Sequence, residues 1–158
     1  MTTTDQMMVW LRETMGAAWS DAEDATPGAW HVTEYTAGSD YGFDAGVGTA
    51  PGEVDVVGHG YEGGGCERVQ DARHIVRHQP AAVLRRIAAD RKMLDLHAIV
   101  PDHGRFSERD NCERSGCDGD HWQPPVCRSC RNYAGDPIEA PCPTIENLAE
   151  GYGWKGDQ

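Results

Sequence analysis

Cys127-Arg128-Ser129-Cys130 places two thiols three positions apart, close enough for both sulfurs to reach one tetrahedral ion while main-chain amides of the intervening turn hydrogen-bond to them. The same spacing can serve thiol redox chemistry, but that motif belongs where a strand enters a helix, and the residues around 127–130 read as loop. Metal ligation is therefore the expectation. Four of the six cysteines crowd between positions 112 and 130, which points the same way in a reducing cytosol. Two ligand sets remain open. Cys112 and Cys117 could join the pair in a four-cysteine zinc ribbon, or Cys142, with His121 as a further candidate, could complete it. Cys142 stands just before a final helix, whose N-terminal amides and dipole favour a thiolate. The ion expected is Zn2+ in a structural role, because a cysteine-rich closed set leaves no position for water and brings no carboxylate to act as base.

Other constellations carry less. His74 and His78 are four apart on one helical face, the spacing of a zinc-protease helix, but Ile75 occupies the place of the glutamate that H-E-x-x-H needs. His78 reads instead as a helix-end residue that complements the dipole. The glycine cluster Gly58–Gly65 lacks the Gly-Lys-Ser/Thr ending of a phosphate-cradling loop, and no G-x-S-x-G nucleophile elbow occurs. Cys66, isolated, reads as a plain thiol. No catalytic residue can be named.

The elements that must position the cysteines follow from pattern. Met8, Leu11, Met15, Ala18, Trp19 and Ala22 recur at three- and four-residue steps, predicting a helix from Asp5 to about Glu23, capped by Thr4 and stopped by Thr26-Pro27-Gly28. Trp30–Thr36 and Val54–Val57 read as strands, with the glycine-rich 38–52 stretch as a long connection. Asp71–His78 reads as a short helix. Pro80 then opens a second helix, which turns Val83, Leu84, Ile87 and Leu94 inward and runs to about His97. From Pro101 to Pro143 hydrophobic periodicity vanishes, a length of chain that needs something other than a core to order it. Pro143 opens a last helix with Ile145 and Leu148 inward, ending at Gly151. The expected fold is α+β: an N-terminal helix, a small antiparallel sheet, a helical pair and a zinc-stapled C-terminal loop. The expected division is a core domain over 1–100 and a cysteine-rich metal-binding region over 101–158.

Composition bounds the role. The 158 residues carry 14 Lys+Arg against 26 Asp+Glu, a net charge of −12, which disfavours direct nucleic-acid binding. Residues 1–65 hold eleven acids and one base, Arg12, so the acidity is concentrated at the front. Ile, Leu, Val and Phe number only 23, a thin core for a chain of this length and a second reason to expect a staple. No apolar run approaches the ~20 residues of a membrane span, and the first residues form no secretory signal, so a cytoplasmic protein is expected.

Ala25-Thr26-Pro27-Gly28-Ala29-Trp30, the block from Asp71 through His74, His78 and Pro80 to Arg85, Leu94-Asp95-Leu96-His97, and Cys127-x-x-Cys130 followed by Pro141-Cys142-Pro143-Thr144 occur in an order that resembles a family of small proteins of unknown function from actinobacteria and their phages. The resemblance implies source and layout, with no activity attached. It also implies Cys127, Cys130 and Cys142 as the core of the metal site, with His97, His121 or one of Cys112 and Cys117 as fourth ligand. Cys112 and Cys117 are additions to the family pattern. The function expected is a non-enzymatic, zinc-binding accessory module of phage or prophage type that binds a host or phage protein. Two other classes stay open: an acidic nucleic-acid mimic that occupies a host DNA-binding or defence protein, and a metal-dependent enzyme using the histidines.

Overall fold

A computed structural model describes residues 2–35, 44–52, 55–58, 64–102 and 124–156. In chain order these form α1 (Thr3–Asp24), β1 (His31–Glu34), β2 (Ala45–Gly48), α2 (Val69–Arg77), α3 (Pro80–Leu96), β3 (Ile99–Val100), β4 (Val126–Arg131), β5 (Pro137–Glu139) and α4 (Pro143–Tyr152). The fold is α+β, as the pattern predicts, but with two small antiparallel sheets among the described residues, β1-β2 and β3-β4-β5.

The chain divides into two compact units, one of residues 1–14 with 89–158 and the other of residues 15–88, so α1 and α3 each contribute to both. The stripe that predicts α1 is buried as expected at Met8, Leu11, Met15 and Ala22, with Met7 added. Its cap is Thr2 rather than Thr4. The Thr2 hydroxyl accepts from the Asp5 N–H at 3.2 Å, and the Asp5 carboxylate accepts from the Thr2 N–H at 2.9 Å, a reciprocal box that begins the helix two residues early.

In the unit of residues 15–88, Ala45, Val47, Cys66 and Ala72 are buried, and Trp30, Val32, Val57, Ile75 and Val76 pack against them. Here the structure corrects two expectations. The glycine-rich stretch read as a connection contains β2, Ala-Gly-Val-Gly, whose four residues are all buried. The run read as a strand at Val54–Val57 contributes only an isolated bridge between Val57 and Val47 among the described residues. The physical reason is backbone pairing. β2 bonds to β1 along one edge and to Val57 and Cys66 along the other, so its amides and carbonyls are satisfied without solvent. Its two glycines and alanine are buried without large side chains of their own, which β propensity does not register. The Gln79 N–H donates to the Val76 carbonyl at 3.2 Å at the end of α2, and its side-chain Oε1 accepts from the Trp30 N–H at 3.1 Å, which ties the α2–α3 junction to the start of β1.

The unit of residues 1–14 and 89–158 buries Met7, Met8, Leu11, Leu94, Val126, Ile145 and Ala149. The stretch without periodicity proves structured beyond position 124. β4 pairs with β3 on one side and β5 on the other, with Ile99 opposite Cys127 and Val100 opposite Val126. Residues 103–123, with Cys112, Cys117 and His121, lie outside the described residues. α4 starts at Pro143, as predicted, but ends at Tyr152. Gly153 supplies the left-handed cap at φ 100°, a conformation that disfavours any residue with a Cβ, so the stop falls two residues past Gly151.

Candidate metal centre

Three separate pieces of chain bring ligand atoms to one place. The first is the end of α3. The helix stops at Leu96, and His97, whose N–H still bonds the Met93 carbonyl at 3.0 Å, occupies the turn before β3. The second is β4. Between its pairings Val126 with Glu139 and Arg131 with Pro137, β4 advances five residues while β5 advances two, so Cys127-Arg128-Ser129-Cys130 bulges out of the ladder. This places the C-x-x-C within a strand rather than in a loop, correcting the expected surroundings. The third is the N-cap of α4, where Cys142 sits with extended backbone ahead of Pro143.

Carbonyls freed from the ladder by the bulge find other donors. The Arg131 guanidinium donates to the carbonyls of Cys127, Arg128 and Cys130, at 3.3, 3.1 and 2.7 Å. The Arg128 N–H bonds the Ala98 carbonyl at 2.9 Å, and the Ser129 hydroxyl donates to the Leu96 carbonyl, so the bulge is pinned to the segment that carries His97.

His97, Cys127, Cys130 and Cys142 result, with one ligand atom from each lying within 4.8 Å of all the others. The His97 Nδ1 faces all three sulfurs, at 3.5 Å from Cys127, 3.3 Å from Cys130 and 3.5 Å from Cys142. Cys127 and Cys142 are buried, while His97 and Cys130 are half-buried. This cluster can hold a metal ion.

Electrostatics fits that use. Burial pushes the Cys127 thiol up, but the N–H groups of Cys130 and Ser129, followed by His97 and Cys142, pull it down to about 7. Burial, with Cys142 and Cys127 beside it, pushes Cys130 up to about 11. Sulfurs packed this closely ionise together only when a cation offsets their charge.

The structure thus gathers Cys127, Cys130 and Cys142 and adds His97 from the open set of fourth ligands. Cys112, Cys117 and His121 are not among the described residues. His97 carried one local signal: it ends a predicted helix a few residues before the apolar pair Ile99-Val100, which pairs with the strand holding the C-x-x-C. His74 and His78 are not among the cluster's residues; both are exposed, on α2 and at its C-cap, with their rings 4.5 Å apart, and His78 Nδ1 lies 3.1 Å from the Arg86 guanidinium. Cys66 is a buried thiol in the other unit, pushed up by burial and by Asp71.

A family model described as a family of unknown function, DUF6221, matches residues 4–153 and so spans both described sheets and all four residues of the cluster. The chain belongs to this family. No curated protein and no solved structure matches it. Membership covers the site as a whole but assigns it no activity. Among the described residues, no helix is long and apolar enough to cross a membrane.

Proposed function

We propose that His97, Cys127, Cys130 and Cys142 hold one structural Zn2+, and that the protein is a cytoplasmic, non-enzymatic accessory module of phage or prophage type that binds a host or phage protein. The observation that carries the metal reading is the closed Cys3His set. Zinc bonds of ~2.3 Å to sulfur and ~2.0–2.1 Å to nitrogen imply S···N edges of about 3.6 Å around a tetrahedron. The three edges to His97 measure 3.3 to 3.5 Å, so a small expansion would bring the cluster to that geometry. Soft thiolates with one imidazole suit zinc better than the hard, oxygen-seeking cations.

A catalytic zinc keeps one position for water and commonly has a carboxylate at hand. This set supplies four protein ligands and no carboxylate. What an ion adds here is connection, since it would join the end of α3, the β4 bulge and the start of α4. A rigid unit built this way suits recognition.

Native mass spectrometry of protein purified without a metal-binding tag tests the reading. The expected mass is that of the chain plus one zinc, falling to the bare chain in Cys130→Ser. A bare-chain mass that chelator leaves unchanged overturns it.

A further inference from the structure

The first turns of α1 and the length of α4 border an open groove of about 710 Å³, within the few hundred to one thousand Å³ typical of pockets that bury a ligand. All of its lining residues belong to the unit that carries the metal cluster. Met7, Pro141 and Trp154 give it apolar surface, and the Trp154 ring is braced by Trp10, with centroids 5.2 Å apart and planes at 53°. Glu146 and Glu150, one helical turn apart on α4, line the same groove. Both are exposed, and neither has an ion-pair partner among the described residues. Carboxylates at this spacing repel each other, and a cation between them relieves that repulsion. The indole of Trp154, which lines the same groove, can attract such a cation over its face.

Lys155 also lines the groove. An ammonium only donates, so it calls for an acceptor on the ligand. A cationic head, an apolar stem and a nearby carbonyl oxygen describe an arginine or lysine within a peptide. We infer that this groove receives a basic peptide segment of a protein partner, its guanidinium or ammonium group held by Glu146 and Glu150 against Trp154 and a main-chain carbonyl held by Lys155. The inference rests on the binding-module reading above and names the chemistry of the partner. Charge complementarity supports it at long range too, since a chain of net charge −12 draws basic segments toward itself. Pro141 directly precedes Cys142, so the proposed staple also fixes one wall of the groove.

The test is an NMR titration of the full-length, zinc-loaded protein with a capped arginine-containing heptapeptide, its citrulline counterpart, and spermidine. Saturable shifts of the amides in α4 and at Trp154 are expected with the arginine peptide. The Glu146→Gln/Glu150→Gln variant should bind about tenfold more weakly, the sum of two partly screened ion pairs. Asp21→Asn/Glu23→Gln, an equal change of charge on α1, should bind as the wild type does. Absence of saturable shifts in α4, equal loss in both double variants, or spermidine or the citrulline peptide binding as tightly as the arginine peptide would each overturn the assignment. Cross-linking to a captured partner separates this inference from the broader reading: cross-links away from α4 remove the groove and leave the module, whereas failure to capture any partner removes the module itself.

Discussion

Replacing Cys142 with serine should release the start of α4 from the rest of its unit. Cys142 is 1% exposed and caps α4, and twelve positions separate it from Cys130. An ion bound at both residues closes that stretch as a cross-link does. Constraining a loop of this size is worth about 3 kcal/mol by loop-closure entropy. A serine hydroxyl buried in place of the thiolate adds about 1 kcal/mol or more if it lacks a partner. A total of about 3 to 5 kcal/mol is expected. With a urea dependence of ~2 kcal/mol/M, the unfolding midpoint should fall by about 1.5 to 2.5 M. Because the loss is local, hydrogen exchange in α4 and β4 should accelerate with it. Chelator-treated wild type should approach the same curve, because both lack the closure. Cys66→Ser, in the other unit, should keep its metal. A wild-type midpoint that chelator does not move, or a Cys142→Ser protein with full metal content and wild-type stability, would refute the stapling argument.

Val47→Ala, at the fully buried centre of β2, should cost about 2 kcal/mol in denaturant unfolding, the transfer and cavity cost of two buried carbons; a neutral result would argue against β2 as a paired inner strand. Asp55 accepts from the Thr49 hydroxyl and N–H, both at 2.7 Å, and these bonds hold its carboxyl below the ordinary range. Its contribution is therefore present above the unfolded-state value and is lost as pH falls through the depressed one. Thr49→Val should raise the Asp55 titration midpoint seen by NMR, and an unchanged midpoint would remove the hydroxyl as a cause. Gly153→Ala should destabilise the chain by about 1 kcal/mol in thermal unfolding, because φ 100° disfavours a Cβ even though nothing crowds the site.

Helices were the legible part of this chain. The stripe of α1, Pro80 opening α3 and Pro143 opening α4 each show as local pattern, because a helix repeats every 3.6 residues and its ends carry their own cap residues. The sheets were legible only in part: β1 falls within the strand predicted at Trp30–Thr36, but its partner did not show. β2 carries one β-branched residue among two glycines and an alanine, and what makes it a strand is bonding along both edges to partners distant in sequence. β4 lost its strand pattern because the C-x-x-C interrupts the alternation. Cys127 and Cys130 were visible as candidate ligands from their spacing, and Cys142 from its place before a helix and from family resemblance.

By itself the sequence determined which side chains can bind a soft ion, where the helices run, and how strongly acidic and core-poor the chain is. Those properties depend on residue type and short-range spacing. Only the tertiary structure decided that His97 joins the three cysteines, because that requires β3 to pair with β4 and so carry the end of α3 to the bulge, with partners thirty or more positions apart. Only it set Glu146, Glu150 and Trp154 along one groove with Met7, a residue from the other end of the chain. A ligand set or a groove is defined by distances between separate segments, and these exist only after backbone pairing and burial have brought the segments together.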